Sequence, residues 1–186
     1  IYKECKLINV GQARGSSYDY CHQLLKNADM VEKVDFSGFV PYEDLPGCYA
    51  KADAVIVASE IYESFSYTVA QAMACGKPVI ASRIGGIPET LDFGRCGFLF
   101  KPGKVDDLVE MLRYVYENTD KVKAISKCAQ DYAVNKFSLE NSKHILVEKK
   151  LGKLGTFFNF LVFFISSKIF FTLPFAFCSE MLLNIA

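Results

Sequence analysis

Apolar residues along most of this chain recur with two periods, one suited to buried strands and one to helices lying against them. Residues 6–10 read as a short strand ending at Gly11, and residues 34–40 as a second strand closed by Pro41. Residues 54–58, AVIVA, are an unbroken apolar run, the pattern of a strand covered on both faces. Residues 79–81 and 98–100 supply two more strands. Between them the spacing turns helical, with Tyr20, Cys21, Leu24 and Leu25 in 18–25 and Leu45 and Tyr49 in 42–51. Residues 105–118 form an amphipathic helix whose Val105, Leu108, Leu112 and Val115 are predicted to face inward. Residues 121–136 and 138–149 read as two further helices. Strands alternating with helices of this length predict an α/β fold with right-handed crossovers and a parallel, doubly wound sheet.

The densest local information lies in residues 58–89, ASEIYESFSYTVAQAMACGKPVIASRIGGIPE. Ser64, Ser66 and Thr68 offer side-chain oxygens to cap a helix start. A helix follows over 67–75, Gly76 stands where a left-handed cap is wanted, and Pro78 forbids continuation. After the strand at 79–81, Gly85 and Gly86 turn the chain and Pro88 suits the first turn of another helix. A polar loop feeding a helix N-terminus at a strand's carboxyl end suits an anionic ligand, because free N–H groups and the helix dipole point outward there.

These residues carry a family resemblance. Glu63 in ESFS, then seven residues to position 71, then AMACGKPVIAS over 72–82 and GGIPE over 85–89, resemble the donor-binding motif of retaining glycosyltransferases of the GT-B group, family 4. That family has Glu at both ends of the seven-residue interval; here the second position is Gln71. FSGFVP over 36–41, YAKAD over 49–53, and Gly94, Gly97 and Pro102-Gly103 are similar to further stretches of the family. The similarity covers roughly residues 6–148 and corresponds to the C-terminal, donor-binding, Rossmann-like domain.

The resemblance implies a nucleotide-diphosphate sugar as substrate, with no cofactor and no metal. It implies backbone N–H groups of Phe65, Ser66, Tyr67 and Thr68, with Ser64 beside them, holding the donor diphosphate as charge grows on the leaving phosphate. Glu63 would bond the donor sugar near the reacting carbon, and position 71 the ribose hydroxyls. An amide at Gln71 can accept from one hydroxyl and donate to another, but it lacks a carboxylate's charge-assisted bonds. Phe39 and Val40 are candidates for packing on the nucleobase. Plainer readings stand beside these: Ser66 and Thr68 as caps only, Gln71 as a surface helix residue, Phe39 as core, and Gly85-Gly86 as a tight turn.

Composition narrows the alternatives. Net charge is zero, so nothing points to nucleic acid. Seven cysteines without a CxxC pair, scattered among apolar segments, read as buried free thiols of a reducing, cytoplasmic compartment. Cys75 and Cys96 are expected to be small buried hydrophobes. Asp106 and Asp107 suit a helix start. His144 reads as exposed and inert, and His22, the other histidine, is distant in sequence.

The chain opens at Ile1 without Met, which reads as a cut. Family members carry, just ahead of this point, a first strand and a V-G-R-L…K-G stretch whose Arg and Lys bind phosphate; nothing in residues 1–15 supplies them. The acceptor-binding N-terminal domain is expected to be missing too, so the acceptor is unknown and this chain alone is expected not to turn over. Residues 1–150 are therefore read as a truncated sugar-nucleotide-binding domain and 151–186 as a hydrophobic tail. Within the tail, residues 156–178 have the length of a membrane span, but Lys168 near their middle costs roughly 2.5–3.5 kcal/mol on insertion. A membrane contact, a non-native translation and a buried helix remain alternatives for that tail. Two functional rivals also stand: a non-catalytic remnant that binds nucleotide, and an epimerase or phosphorylase on the same architecture.

Overall fold

A computed structural model describes residues 5–11, 16–138 and 180–185. The chain divides into two compact units, one of residues 1–133 with 179–186 and the other of 134–178. The first unit holds the sheet and is Rossmann-like α/β.

Its chain order is β1 (Cys5–Val10), α1 (Ser16–Asn27), β2 (Val34–Gly38), α2 (Leu45–Lys51), β3 (Ala54–Val57), α3 (Tyr67–Ala74), β4 (Val79–Ser82), α4 (Ile87–Thr90), β5 (Phe98–Phe100), α5 (Val105–Glu117), α6 (Thr119–Phe137) and β6 (Glu180–Ile185). The last few residues of α6 fall within the second unit. Six strands form one sheet in the order β2-β1-β6-β3-β4-β5. β1 runs parallel to β2, and β3, β4 and β5 run parallel to one another. This is the alternation expected from the sequence. All four residues of β3 and of β4 are buried, so both faces of each strand are covered, as an unbroken apolar run requires.

One face of that sheet carries a core cluster. Ala54, Ile80, Phe98 and Phe100 pack with Val115 of α5 and Val122 of α6, and Leu108, Met111, Leu112 and Ile125 close over them. Val69, Ala72 and Met73 of α3 are fully buried, as are Ile87 and Leu91. Each of the larger side chains among these, Val, Leu, Ile, Met or Phe, contributes about 1.5–3 kcal/mol through removal from water.

β6 was not anticipated. It lies in the middle of the sheet, antiparallel to both neighbours, with Leu7 opposite Leu183 on one side and Val55 opposite Leu182 on the other. The stretch EMLLNI is a short apolar run inside the segment read as a tail, and only pairing with distant strands makes it a strand.

Two expectations are corrected. Val105 is 72% exposed, because it is the first residue of α5 and lies before the turn at which the helix meets the core. β2 stops at Gly38, whose φ of 72° ends the extended run, so Phe39 and Val40 lie beyond the strand. The helix expected over 138–149, with His144, and the apolar segment 156–178 lie outside the described residues. Among the described residues no helix is long and apolar enough to cross a membrane.

Candidate functional site

The chain leaves β1 towards β2 on one side of the sheet and β3 towards β4 and β5 on the other. The order therefore reverses between β1 and β3, and open α/β sheets hold ligands at the carboxyl ends of strands at such a reversal. The loop from β3 to α3 rises from that edge and carries Glu63, Ser64, Phe65 and Ser66.

Hydrogen bonds shape this loop. Ser82 Oγ, at the end of β4, donates to the Ser59 carbonyl at 2.6 Å, tying the start of the loop to the sheet. Ser59 Oγ donates to the Ile61 carbonyl at 3.1 Å. Gly86 N–H donates to the Glu63 carbonyl at 2.7 Å. Gly85 and Gly86 do more than turn the chain. A Cβ at Gly85 would collide with the Glu63 backbone, and a Cβ at Gly86 would collide with the Ser64 carbonyl. The two glycines thus let the β4–α4 turn lie directly against the backbone of Glu63 and Ser64, and Gly85 also has φ 55°. Glu63 itself is half-buried at this junction.

α3 begins immediately after the loop. Ser66 occupies the N-cap position with extended backbone, and the first intrahelical bond runs from Ala70 N–H to the Ser66 carbonyl at 3.1 Å. Earlier N–H groups of the first turn have no carbonyl of their own helix to meet. The predicted side-chain cap is not made: Ser66 is 1% exposed, and its Oγ has no hydrogen-bond partner among the described residues. A buried hydroxyl without a partner carries a desolvation cost of about 1–3 kcal/mol, which a ligand atom at this position would relieve. Thr68 is buried, Ser64 and Tyr67 are exposed, and Phe65 packs edge-on against Tyr67 with ring centroids 5.1 Å apart.

The remaining predicted residues divide. Phe39 is 61% exposed and Val40 half-buried, both just past the carboxyl end of β2. Three strand spacings separate β2 from β3, so these residues stand about 14 Å along the same edge from the Glu63 loop. Gln71 faces α2 instead: its Oε1 accepts a bond from the buried Tyr49 hydroxyl at 3.2 Å. Tyr49 was legible as an inward residue of α2, but its hold on Gln71 joins positions 22 residues apart and has no local signal. Asn9, at the carboxyl end of β1, was overlooked. It is 8% exposed, and its Oδ1 has no partner among the described residues. Its signal is an amide between the apolar Leu7-Ile8 and Val10 of the strand.

The other end of the sheet is structural. A cleft of about 280 Å³ opens where β4 begins, lined in part by Asp53, Lys77, Lys123 and Lys127. The helix carbonyls there are already bonded, Ala50 O by Lys77 Nζ at 2.9 Å and Ala74 O by Gln130 Nε2 at 3.1 Å. Among the described residues no group of three His, Cys, Asp or Glu is placed to hold a metal. The expectation of buried thiols holds for Cys96, whose thiol is pushed up to about 11, chiefly by desolvation, but not for Cys21 and Cys128, which lie exposed on the outer faces of their helices; Cys75 is only half-buried and is raised by burial, partly offset by Lys77.

The α/β sheet with a polar loop and a helix N-terminus at its switch point is a fold of the GT-B kind. The family model "Glycosyl transferases group 1" matches residues 1–132, and the chain belongs to that family. It is 36% identical over 99 residues to sulfoquinovosyl transferase SQD2 of Arabidopsis thaliana, an alignment covering 52% of this chain and 19% of that protein. Among solved structures, HepE of Anabaena in complex with UDP superposes with a TM-score of 0.69 at 32% identity, over 77% of this chain and 40% of that one. The C-terminal domain of a group 1 family glycosyl transferase from Francisella tularensis shares the fold, with a TM-score of 0.61 at 22% identity over 71% of this chain and 69% of that one. The chain spans well under half the length of the curated relatives it matches.

Proposed function

We propose that this chain is the donor-binding part of a retaining, family 4 glycosyltransferase, one that transfers a sugar from a nucleotide-diphosphate sugar to an acceptor bound elsewhere. The observation that carries the reading is the start of α3. Its first turn, the buried and unpartnered Ser66 hydroxyl, and the Glu63 loop pinned by Gly85-Gly86 converge at the carboxyl edge of β3. Structures of Anabaena HepE hold UDP and UDP-glucose, which supports the same ligand class here.

In this reading the diphosphate lies on the first turn of α3, where Phe65, Ser66, Tyr67 and Thr68 present backbone N–H groups and the helix dipole favours negative charge. These dipoles are fixed before reaction, so they stabilise charge on the departing phosphate without reorganising. Ser66 Oγ supplies one more donor at the same place. Glu63 holds hydroxyls of the transferred sugar next to the bond that breaks. Phe39 and Val40, along the same edge, take the base. The acceptor site belongs to a further domain, and the chain works in the cytoplasm.

The test compares binding of UDP and UDP-glucose to the full chain and to Glu63→Ala by calorimetry. The proposal expects Glu63→Ala to weaken UDP-glucose while leaving UDP unchanged. Equal losses for both ligands, or no loss for either, would remove Glu63 from the sugar. A second reading, a nucleotide-binding remnant, is favoured by one observation: Gln71 spends its carbonyl on Tyr49, which leaves position 71 less to offer a ribose.

A further inference from the structure

Tyr49 and Gln71 tie α2 to α3. α2 follows Phe39 and Val40, which lie past the end of β2, and α3 follows the Glu63 loop. The Tyr49 hydroxyl donates to Gln71 Oε1 at 3.2 Å, and Lys77 Nζ donates to the Ala50 carbonyl at 2.9 Å. Gln71 therefore stands on the side of α3 that faces α2. It lies four residues after Tyr67, and helical side chains lean toward their helix's N-terminus, so it stands against the first turn of α3. Tyr49 is 2% exposed, so the core fixes its ring, while Gln71 is half-buried and reaches the surface. A hydroxyl carries one proton, and here the amide carbonyl receives it. The group Gln71 has left to offer is its NH2, a donor only.

We propose that Tyr49 is a positioning residue for the nucleotide: its hydroxyl locks the Gln71 carbonyl inward, so that position 71 meets a ribose oxygen with a preset N–H donor. This inference rests on the proposed function. With the base at Phe39 and Val40 and the diphosphate on the first turn of α3, the ribose between them passes the side of α3 that faces α2. A carboxylate at this position would accept from ribose hydroxyls; the locked amide donates to a ribose oxygen instead. The polarity of the contact is thus set by a residue 22 positions earlier in the chain. A free glutamine side chain must be ordered when ligand arrives, and the Tyr49 bond has ordered this one beforehand. Without the hydroxyl, the half-buried carbonyl loses its donor and turns to water, and the amide leaves its position. Both effects act in the same direction, against binding of the ribose.

The test measures binding of UDP and of 2′,3′-dideoxy-UDP to the full chain by calorimetry, in wild type, Tyr49→Phe, Gln71→Ala and the double variant. Wild type should prefer the ribose form roughly fivefold, the worth of one neutral hydrogen bond. Tyr49→Phe should reduce that preference to less than about twofold while leaving affinity for the dideoxy form unchanged. Gln71→Ala should abolish the preference, and adding Tyr49→Phe to it should change nothing further. A Tyr49 that only supports the fold would weaken both nucleotides alike, and that result, or an undiminished preference in Tyr49→Phe, would overturn the proposal. So would a Gln71→Ala chain that keeps the wild-type preference, which decides the matter even where Tyr49→Phe does not fold. A wild-type chain that binds neither nucleotide would refute the donor-binding function itself, and this inference with it.

Discussion

Replacing Gly86 by Ala tests how the site is built. Gly86 has φ −82° and ψ −2°, a conformation that alanine adopts freely, so any cost must come from contact alone. The added Cβ would overlap the Ser64 carbonyl, a backbone group that cannot rotate aside as a side chain would. Forcing a methyl into such a contact costs about 1–3 kcal/mol. Pushing the turns apart also strains the Gly86 N–H bond to the Glu63 carbonyl, worth about 1 kcal/mol more. The sum lowers the urea midpoint by roughly 1–2 M for an ordinary denaturant dependence. Two other glycines serve as controls. Gly47, in α2 with open space around its Cβ, should gain about 0.5–1 kcal/mol as alanine. Gly38 also has open space but sits at φ 72°, so Gly38→Ala should lose about 1 kcal/mol through backbone strain alone. A Gly86→Ala chain with the wild-type midpoint would refute the packing of the β4–α4 turn on the Glu63 loop.

Three more predictions follow from other parts of the molecule. Gln71→Glu keeps an acceptor for the Tyr49 hydroxyl and adds charge, so it should tighten nucleotide binding roughly fivefold with the fold intact; unchanged affinity would take position 71 off the ribose. Ending the chain at Ser179 removes β6 and opens the inner edges of β1 and β3, so the truncated protein should show a lower urea midpoint and aggregate on size-exclusion chromatography. A monomer of unchanged midpoint would show that β6 contributes nothing to the sheet. Cys96 rises from 9.0 to about 11 in the folded chain. Between those values the unfolded thiol has released its proton and the folded one has not, so stability falls as pH rises across that window. The midpoint of wild type should therefore drop more than that of Cys96→Ala between pH 8 and pH 10.5, and parallel slopes would contradict it.

Much of this fold was legible because its signals are local. The strands at 54–57, 79–82 and 98–100 are apolar runs bounded by turn residues, and Gly76 and Pro78 end α3 where they stand. The helix start at Tyr67 was equally plain, although the Ser66 hydroxyl does not cap it, since burial and not sequence position decides where that oxygen points. Gly85 and Gly86 signalled a turn, yet what they accommodate is the backbone of Glu63 and Ser64, more than 20 residues earlier. That demand cannot be seen in a local pattern. The bond from Tyr49 to Gln71 and the insertion of β6 between β1 and β3 are hidden for the same reason: each joins segments that only the folded sheet brings together. Val105 shows the opposite error, a periodic stripe extended one residue beyond the helix's contact with the core.

The central claim, that the first turn of α3 and the Glu63 loop hold a nucleotide-diphosphate sugar, is tested most directly by titrating the 15N-labelled full chain with UDP-glucose and with guanosine and adenosine diphosphate sugars. The account predicts saturable shifts for at least one of them, confined to the amides of residues 63–68, Phe39, Val40 and Gly86. Saturable shifts gathered at the Lys77 and Lys123 cleft, or no saturable shift with any nucleotide sugar, would contradict it.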